Sequence, residues 1–333
     1  MVTIKDVAEL ARVSATTVSH VINQTRYVDP ATRQRVTEAI AELGYRPNTL
    51  ARSLRRRETR TIGLIVPDNS NPYFAELARA VEDAGFAEGY SVILCNSDMS
   101  EAKEAAYIEV LLSKRVDGII LISAANRRDK FNAILQAGVP VVTVARELSD
   151  LPIDQIVTDN EQGGYLVGRH LIELGHRNIG CIAGPRDETP SADRIVGLRR
   201  ALQESGIHLP AELVIRGDFT YESGRQVMTE LLLRCPHLTA VFAANDRMAI
   251  GAMNHLWRTG RRIPDDVSIV GFDDIPVAAM TCPPLTTVAP PKADFARTSV
   301  SLLIERITTG RTTPLRVVLP TRLMIRESCR AIV

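Results

Sequence analysis

The stretch TIKDVAELARVSATTVSHVIN, Thr3 to Asn23, decides how the remainder of this chain is interpreted. Apolar residues recur at three- and four-residue steps on both sides of a short break around Val13-Ser14, which predicts two short helices joined by a tight turn. That spacing is typical of a helix-turn-helix, whose second helix enters the major groove of DNA. A third apolar stripe, from Val36 to Leu43, would complete a small three-helix core.

Cap residues predict where these helices begin. The hydroxyl of Ser14 can cap the second helix, and Asp29-Pro30 can begin the third with a capping carboxylate and a proline at the first helical position. Short hydroxyls and an imidazole can approach phosphates and base edges closely, but an ordinary three-helix bundle with a solvated His20 is the alternative. The side chains left to face outward are Ala15, Thr16, Thr17, Ser19, His20 and Asn23.

The charge of the chain is unevenly distributed. The whole chain has a net charge of only +1, yet residues 1–60 carry 11 Lys or Arg against six Asp or Glu, and residues 61–333 carry 29 against 33. A basic N-terminal segment on a mildly acidic body is typical of a phosphate-binding module attached to a larger domain. The charge pattern therefore favours DNA as a partner.

Composition sets further limits. The 333 residues are 45% hydrophobic and 24% charged, which predicts a globular protein of two or three domains. No apolar run approaches the roughly 18 residues that span a bilayer, and no apolar segment follows a basic start, so we expect a cytoplasmic protein with no membrane partner. The five cysteines are dispersed, which favours free thiols over a zinc site or disulfides. We expect neither a metal nor a cofactor.

From Thr61 onward, short Val- and Ile-rich runs alternate with amphipathic stretches. This alternation predicts an α/β fold with parallel sheets flanked by helices, whose ligands bind at the carboxyl ends of the strands. Aromatic faces, guanidinium groups and carboxylate acceptors in such a crevice suit a polyhydroxylated ring. Tyr73 could instead belong to the core or an interface, and Asp246 could be either a ligand residue or a helix N-cap. The predicted ligand-binding residues are Tyr73, Phe74, Arg146, Arg194, Phe219, Asn245 and Asp273.

An α/β enzyme is the main rival interpretation. The sequence has no G-x-G-x-x-G after a strand, no G-x-x-x-x-G-K-[ST] and no G-x-S-x-G, and its six histidines show no metal-ligand spacing. We therefore predict that the protein is not an enzyme. A sugar-binding protein for uptake is also disfavoured, because the N-terminal segment is basic and lacks the pattern of a signal peptide.

Three segments in order resemble the lactose/galactose repressor family of bacterial transcription regulators: TIKDVAELARVSATTVSHVIN, GYRPNTLARSL from Gly44, and TIGLIVPDNSNPYFAEL from Thr61. The resemblance covers the whole chain, and TTVSHVIN is similar to the purine and ribose repressors. Arg12 departs from the family at a turn position that more often holds Gly or Asn. The resemblance implies a hinge helix in which Leu54 enters the minor groove. The full predicted DNA-binding set is Thr3, Ser14, Ala15, Thr16, Thr17, Ser19, His20, Asn23, Arg26, Asn48, Ala51, Arg52, Leu54 and Arg55.

The resemblance also implies the domain organisation. It predicts a helix-turn-helix domain over residues 1–46, a hinge over 47–60, and an effector-binding and dimerisation body over 61–333 similar to periplasmic sugar-binding proteins. Lobe 1 would span about 61–159 and 291–320, and lobe 2 about 160–288 and 321–333. We expect a homodimer on a palindromic double-stranded operator, with helices at 74–86 and 101–114 contributing to the dimer.

Effector identity is the open part of the resemblance. In the family, positions matching Phe74, Arg194, Phe219 and Asp273 contact the effector, and those matching Arg146 and Asn245 do so in ribose-type binders. Two departures are Ala145, where ribose-type proteins carry an acidic residue, and Pro290, where a glutamine is common. A pentose or related sugar is favoured, and a purine or nucleoside is the alternative. The effector could either release or promote operator binding.

Overall fold

The computed structural model describes residues 2–45, 58–122, 131–144, 151–186 and 189–332. The chain divides into two compact units, residues 1–59 and 60–333. Several predicted positions lie outside the described residues, and their roles stay predictions. They are Asn48, Ala51, Arg52, Leu54 and Arg55 of the hinge, together with Ala145 and Arg146.

The described part of the N-terminal unit, residues 2–45, contains three helices, as predicted. These are α1 (Ile4–Leu10), α2 (Ala15–Asn23) and α3 (Pro30–Leu43). The Ser14 hydroxyl accepts a hydrogen bond from the Thr17 amide at 3.0 Å, and the Asp29 carboxylate accepts one from the Thr32 amide at 3.0 Å. Both predicted N-caps are therefore confirmed. The apolar stripes meet in a core in which Val7, Val18 and Val36 are fully buried.

The turn between α1 and α2 accommodates the unusual Arg12. This residue has a φ of +54°, in the left-handed region that favours glycine and asparagine. The amide of Val13 donates to the carbonyl of Ala8 at 2.9 Å and closes the turn. The departure from the family pattern thus keeps the tight bend, although the backbone at Arg12 is strained.

The second unit contains two six-stranded sheets. The first sheet has the order β11-β5-β4-β3-β1-β2, and all of its strand pairs are parallel. Its strands are β1 (Thr61–Val66), β2 (Ser91–Asn96), β3 (Gly118–Ile122), β4 (Val141–Val144), β5 (Asp154–Thr158) and β11 (Arg316–Leu319). Its helices are α4 (Pro72–Ala87), α5 (Glu101–Ser113), α6 (Phe131–Gln136) and α11 (Lys292–Thr309).

The second sheet has the order β12-β10-β9-β8-β6-β7. Its strands are β6 (Ile179–Ala183), β7 (Val214–Arg216), β8 (Ala240–Ala243), β9 (Ser268–Phe272), β10 (Thr286–Ala289) and β12 (Arg322–Met324). The helices beside it are α7 (Asn160–Glu173), α8 (Thr189–Glu204), α9 (Tyr221–Arg234) and α10 (Asp246–Arg258), with 3₁₀ turns at Ala211–Leu213 and Pro276–Met280. The chain therefore passes from one sheet to the other after β5, after β10 and after β11.

The predicted α/β class is confirmed, with two corrections to the strict alternation of parallel strands and helices. The edge strand β12 runs antiparallel to β10, because only a short connection separates it from β11. Strands β11 and β12 follow each other with no helix between them, because only Pro320 and Thr321 separate the two strands. None of the helices in the described ranges is long and apolar enough to cross a membrane.

A buried carboxylate anchors the start of β5. Asp154 accepts hydrogen bonds from the guanidinium groups of Arg306 on α11 and Arg311 beyond it, at 2.7–3.1 Å. The Leu315 amide adds a third donor at 2.8 Å. These donors hold the pKa of Asp154 below its usual value despite burial. The ion cluster therefore joins β5 to the distant α11–β11 segment.

Two helix pairs beside the second sheet pack backbone against backbone. A Cβ atom on Gly164 of α7 would lie 1.8 Å from the Arg194 carbonyl of α8, and one on Gly251 of α10 would lie 1.9 Å from the Tyr221 carbonyl of α9. Only glycine permits such close approach. The glycines therefore fix the position of Arg194 in the second turn of α8 and the position of the start of α9, which follows Phe219 and Thr220 of the site described next.

Candidate functional site

A cavity of about 230 Å³ lies where the carboxyl ends of strands from both sheets meet. Arg146, one of the seven predicted ligand residues, lies outside the described residues. The six that line the cavity are Tyr73, Phe74, Arg194, Phe219, Asn245 and Asp273. Lining residues that sequence reasoning did not single out include Asp68, Asn71, Met99, Thr158, Asn160, Asp218, Thr220 and Arg247. The strand-end rule thus brings distant segments to one crevice.

Arg194 is the most constrained polar side chain of the cavity. Its Nε donates to the Asn160 side-chain oxygen at 2.8 Å, and its Nη1 donates to the Ala244 carbonyl. The guanidinium carbon lies 3.6 Å from the centroid of the Phe272 ring, and Nη1 is 3.7 Å from Oδ1 of Asp273. Stacking and hydrogen bonds hold the guanidinium in one orientation, which prepares its remaining N–H groups for a ligand.

Asp273 lies opposite this guanidinium, directly after β9. Burial raises the pKa of Asp273 to about 6, even though Arg194 and Lys292 both act to lower it. Its backbone φ of +112° is rare for a residue other than glycine, and its amide donates to the Val288 carbonyl at 2.8 Å. A strained, buried carboxylate that faces a cavity is typical of a binding site.

Aromatic rings form the apolar walls of the cavity. The rings of Tyr73 and Phe74 meet edge to face, with centroids 5.2 Å apart and planes at 71°. Phe219 approaches from the other sheet with a φ of +68°, and its ring lies so close to Gly184 that a Cβ there would be 2.3 Å from it. Such rings can stack on the C–H faces of a sugar. Tyr73 is both cavity wall and buried residue, so the two interpretations of it are compatible.

The first turn of α10 corrects one sequence-based alternative. The N-cap is Asn245 rather than Asp246: the Asn245 side-chain oxygen accepts from the Met248 amide at 2.9 Å, and its Nδ2 donates to the Phe219 carbonyl at 3.1 Å. Asp246 is fully buried and does not line the cavity. It accepts hydrogen bonds from the Ile275 amide and the Thr287 hydroxyl, and burial raises its pKa well above the usual range.

Asn160 and Arg247 show why some of the lining residues were not predicted from the sequence. Asn160 follows β5, a strand whose first two residues are polar and therefore gave no apolar run to detect. Arg247 of α10 forms an ion pair with Asp68 of the β1–α4 loop at 3.1 Å, across the cavity. The only sequence signal for Arg247 was its place two residues after a predicted ligand residue. Pairs of this kind depend on how the two sheets face each other.

The N-terminal unit presents the predicted DNA-binding side chains in different ways. Thr16 and Arg26 are exposed, whereas Thr17, Ser19 and Asn23 are half-buried. Asn23 donates through Nδ2 to the Ser19 carbonyl at 2.8 Å. One hydrogen-bond donor of the Asn23 side chain is therefore already used within α2.

Two further members of the predicted set act as helix caps. Ser14 caps α2, and Thr3 binds Asp6 through its amide at 2.7 Å and its hydroxyl at 3.0 Å. His20 is half-buried, with Nδ1 2.8 Å from the Thr25 hydroxyl, which leaves Nε2 without an assigned hydrogen bond. Ala15 was expected to face outward but is half-buried and packs against the three-helix core.

A helix-turn-helix unit followed by a two-sheet body with a polar and aromatic crevice defines a class of ligand-responsive DNA-binding regulators. Models of two known families match the chain. The model described as periplasmic binding proteins and sugar binding domain of the LacI family matches residues 59–327, and the model of the bacterial regulatory proteins of the lacI family matches residues 3–48. The chain belongs to the LacI family of bacterial regulatory proteins.

Individual relatives agree with this assignment. The chain is 42% identical over 309 residues to the HTH-type transcriptional repressor PurR of Aliivibrio salmonicida (strain LFI1238), with 92% of each chain covered. It is 40% identical over 310 residues to the ribose operon repressor of Escherichia coli (strain K12), and the match covers 92% of this chain and 94% of that repressor. The solved structure of the lac repressor dimer bound to operator and the anti-inducer ONPF matches with a TM-score of 0.88, 32% identity and 99% of each chain covered. The protein is a DNA-binding transcription regulator.

Proposed function

We propose that this regulator is a repressor that binds a palindromic operator as a homodimer and that a small neutral sugar in the cavity controls its affinity for DNA. The observation that carries the proposal is the pair formed by Arg194 and Asp273. The guanidinium is stacked and hydrogen-bonded in one orientation, and the carboxylate faces it from the carboxyl end of β9. Together they supply donors and acceptors for the hydroxyls of one small ring.

The size and walls of the cavity support a monosaccharide. A volume of about 230 Å³ is below the roughly 300–1,000 Å³ of sites that hold drug-sized ligands. The rings of Phe74 and Phe219 line it from the two sheets and can cover the apolar faces of a sugar. Similarity to the ribose operon repressor favours a pentose. A purine or nucleoside, for which the same aromatic walls could stack on a planar base, is the second candidate.

The charges of the cavity favour a neutral ligand over a phosphorylated one. Within the described part of the lining, the carboxylates of Asp68, Asp218 and Asp273 accompany the guanidinium groups of Arg194 and Arg247. Each of these arginines already faces a carboxylate, at 3.7 Å and 3.1 Å. A phosphate would therefore compete with a carboxylate for its cation.

On the DNA side, we propose that Thr16 and His20 of α2 contact base edges and that Arg26 contacts phosphate. Thr16 and Arg26 are exposed, and Nε2 of His20 is the ring nitrogen not engaged with Thr25. The hinge around Leu54 is proposed from sequence alone. Leu54→Ala should weaken binding to a specific operator while leaving the melting of the body unchanged, and full operator affinity in that variant would refute a wedge role.

A thermal-shift screen tests the effector proposal. Pentoses, hexoses, nucleosides and purine bases are compared at millimolar concentration, where a ligand present at 100 times its Kd stabilises the folded protein by about 2.7 kcal/mol. We expect a pentose such as D-ribose to raise the melting temperature of the wild type.

Two variants serve as controls for this screen. Arg194→Met should abolish the shift, and Asp273→Asn should reduce it, so the effect would be assigned to the cavity even if one variant folds poorly. Stabilisation by nicotinamide or nucleotide cofactors alone would favour an α/β enzyme and contradict the proposal.

A further inference from the structure

The ammonium group of Lys292 joins three parts of the second unit at one point. It donates to the carbonyl oxygens of Asp273 at 3.3 Å and Asp274 at 2.8 Å, and it forms an ion pair with the Glu76 carboxylate on α4. Asp273 and Asp274 follow β9 of the second sheet, whereas α4 flanks the first sheet. The same ammonium lies 6.0 Å from the centroid of the Tyr73 ring, a wall of the cavity. One side chain therefore links the cavity to a helix of the opposite sheet.

The position of Lys292 is unfavourable for its own helix. It is the first residue of α11, where the helix dipole disfavours a positive charge, and the preceding Pro291 provides no side-chain cap. A cation at this place therefore does not serve the stability of α11. A positive charge at an unfavourable helix position indicates that Lys292 serves contacts outside its own helix.

The backbone that Lys292 holds is strained and firmly attached to the second sheet. Asp273 and Asp274 have φ values of +112° and +48°, which residues with side chains rarely adopt. Arg326, which follows β12, donates to the Asp274 carboxylate at 2.6 Å and to the Leu285 carbonyl at 2.8 Å. A shift of Asp273 on ligand binding would therefore move the two carbonyls that Lys292 contacts.

We infer that Lys292 is a positioning residue that transmits occupancy of the cavity to helix α4. The inference rests on the proposed function, because it assumes that a ligand contacts Asp273. A ligand that draws the Asp273–Asp274 turn toward itself moves the Lys292 ammonium, and the ammonium moves Glu76. Helix α4 packs against α11 and is a predicted contributor to the dimer, so its displacement changes how two protomers meet. Lys292 contributes to coupling without contacting the ligand.

The test is the ratio of operator Kd values measured with and without ligand. D-ribose and hypoxanthine serve as probes, and the operator is a palindromic site from the protein's own promoter region. In the wild type the ratio should lie in the range of about 5–150-fold that is typical of allosteric coupling. In Lys292→Met it should fall to within about twofold of unity, while the Kd for the ligand itself rises no more than about tenfold. A wild-type ratio in Lys292→Met would overturn the inference.

Two variants separate this role from general destabilisation. Glu76→Gln keeps the contacts of Lys292 to the carbonyls and should lower the ratio by a smaller factor, so it decides the matter if Lys292→Met binds no ligand. Arg297→Gln removes a cation and an exposed ion pair with Asp294 from the same helix and should keep the wild-type ratio. An equal loss in Arg297→Gln, or an unchanged ratio in Glu76→Gln, would count against Lys292. A wild-type protein that responds to neither probe would overturn the proposed function, and the inference with it.

Discussion

Asp273 should make the stability of the body fall as the pH rises through about 6. Its folded pKa of about 6 lies above the ordinary value of 3.8, so the folded state favours the protonated form. Its contribution to stability is therefore fully present below pH 3.8 and is lost as the pH rises through 6. The direction is opposite to that of an exposed carboxylate held by a lysine, such as Asp98 beside Lys103, whose pKa is lowered.

The magnitude follows from the displacement of the pKa. A shift from 3.8 to about 6 corresponds to about 3 kcal/mol of unfolding free energy at pH 7.5, of which about 1.4 kcal/mol is lost between pH 5 and pH 7.5. Urea unfolding of the wild type and of Asp273→Asn, followed by circular dichroism across that range, isolates this contribution. The stability difference between the two proteins should move by about 1.4 kcal/mol in favour of the variant as the pH rises. A pH-independent difference would refute the assignment of a raised pKa to Asp273.

Asp98 provides a control for this experiment, and ligand binding by the wild type provides a functional readout. In Asp98→Asn the difference from the wild type should stay constant between pH 5 and pH 7.5, because the stabilisation from a carboxylate with a lowered pKa is lost only as the pH falls below the ordinary value of 3.8. Ligand binding should also respond, since protonation removes a hydrogen-bond acceptor from the cavity. The Kd for a sugar should rise roughly tenfold between pH 7.5 and pH 5 in the wild type, and a flat profile would contradict a role for the ionised carboxylate.

Three further predictions concern the framework. Ser14→Ala should destabilise the N-terminal unit by about 1 kcal/mol, because the Thr17 amide loses its cap, and an unchanged melting curve of this unit would contradict that role. Gly164→Ala places a methyl group 1.8 Å from the Arg194 carbonyl, and this clash should lower the unfolding free energy by about 1–3 kcal/mol, partly offset by about 1 kcal/mol from the higher helix propensity of alanine. Ligand titration of this variant should show weaker binding, and unchanged affinity would mean that the contact does not position Arg194. Asp154→Asn should cost about 3–5 kcal/mol in urea unfolding, because two guanidinium groups lose a buried partner, and a loss under 1 kcal/mol would indicate that solvent replaces the carboxylate.

Local signals in the sequence were sufficient for the N-terminal unit and for most of the cavity. Ser14 and Asp29 lie within three residues of the amides they cap, so short-range chemistry fixes those helix ends. The cavity residues were predictable because parallel strands place their carboxyl ends at one edge of a sheet, which turns a strand-end position into a spatial one. No knowledge of side-chain packing was needed for either prediction.

The features that were not predicted from the sequence all depend on contacts between residues that are distant in sequence. Strand β5 begins with Asp154, whose burial is possible only because Arg306 and Arg311 reach it from about 150 residues further along. The choice of Asn245 over Asp246 as the cap depends on donors supplied by Ile275 and Thr287. The antiparallel direction of β12 likewise follows from where the chain returns to the second sheet. Such features require the assembled fold.

The most direct test of the central claim is the affinity of the purified protein for a palindromic operator from its own promoter region, measured by fluorescence anisotropy with and without a saturating sugar. We predict binding that weakens steeply with salt, because phosphate contacts release counterions, and a change of about 5–150-fold in Kd when the sugar is added. The same change should be absent in Arg194→Met. Absent or salt-insensitive binding to the operator, or an affinity that no sugar or purine alters, would contradict the account.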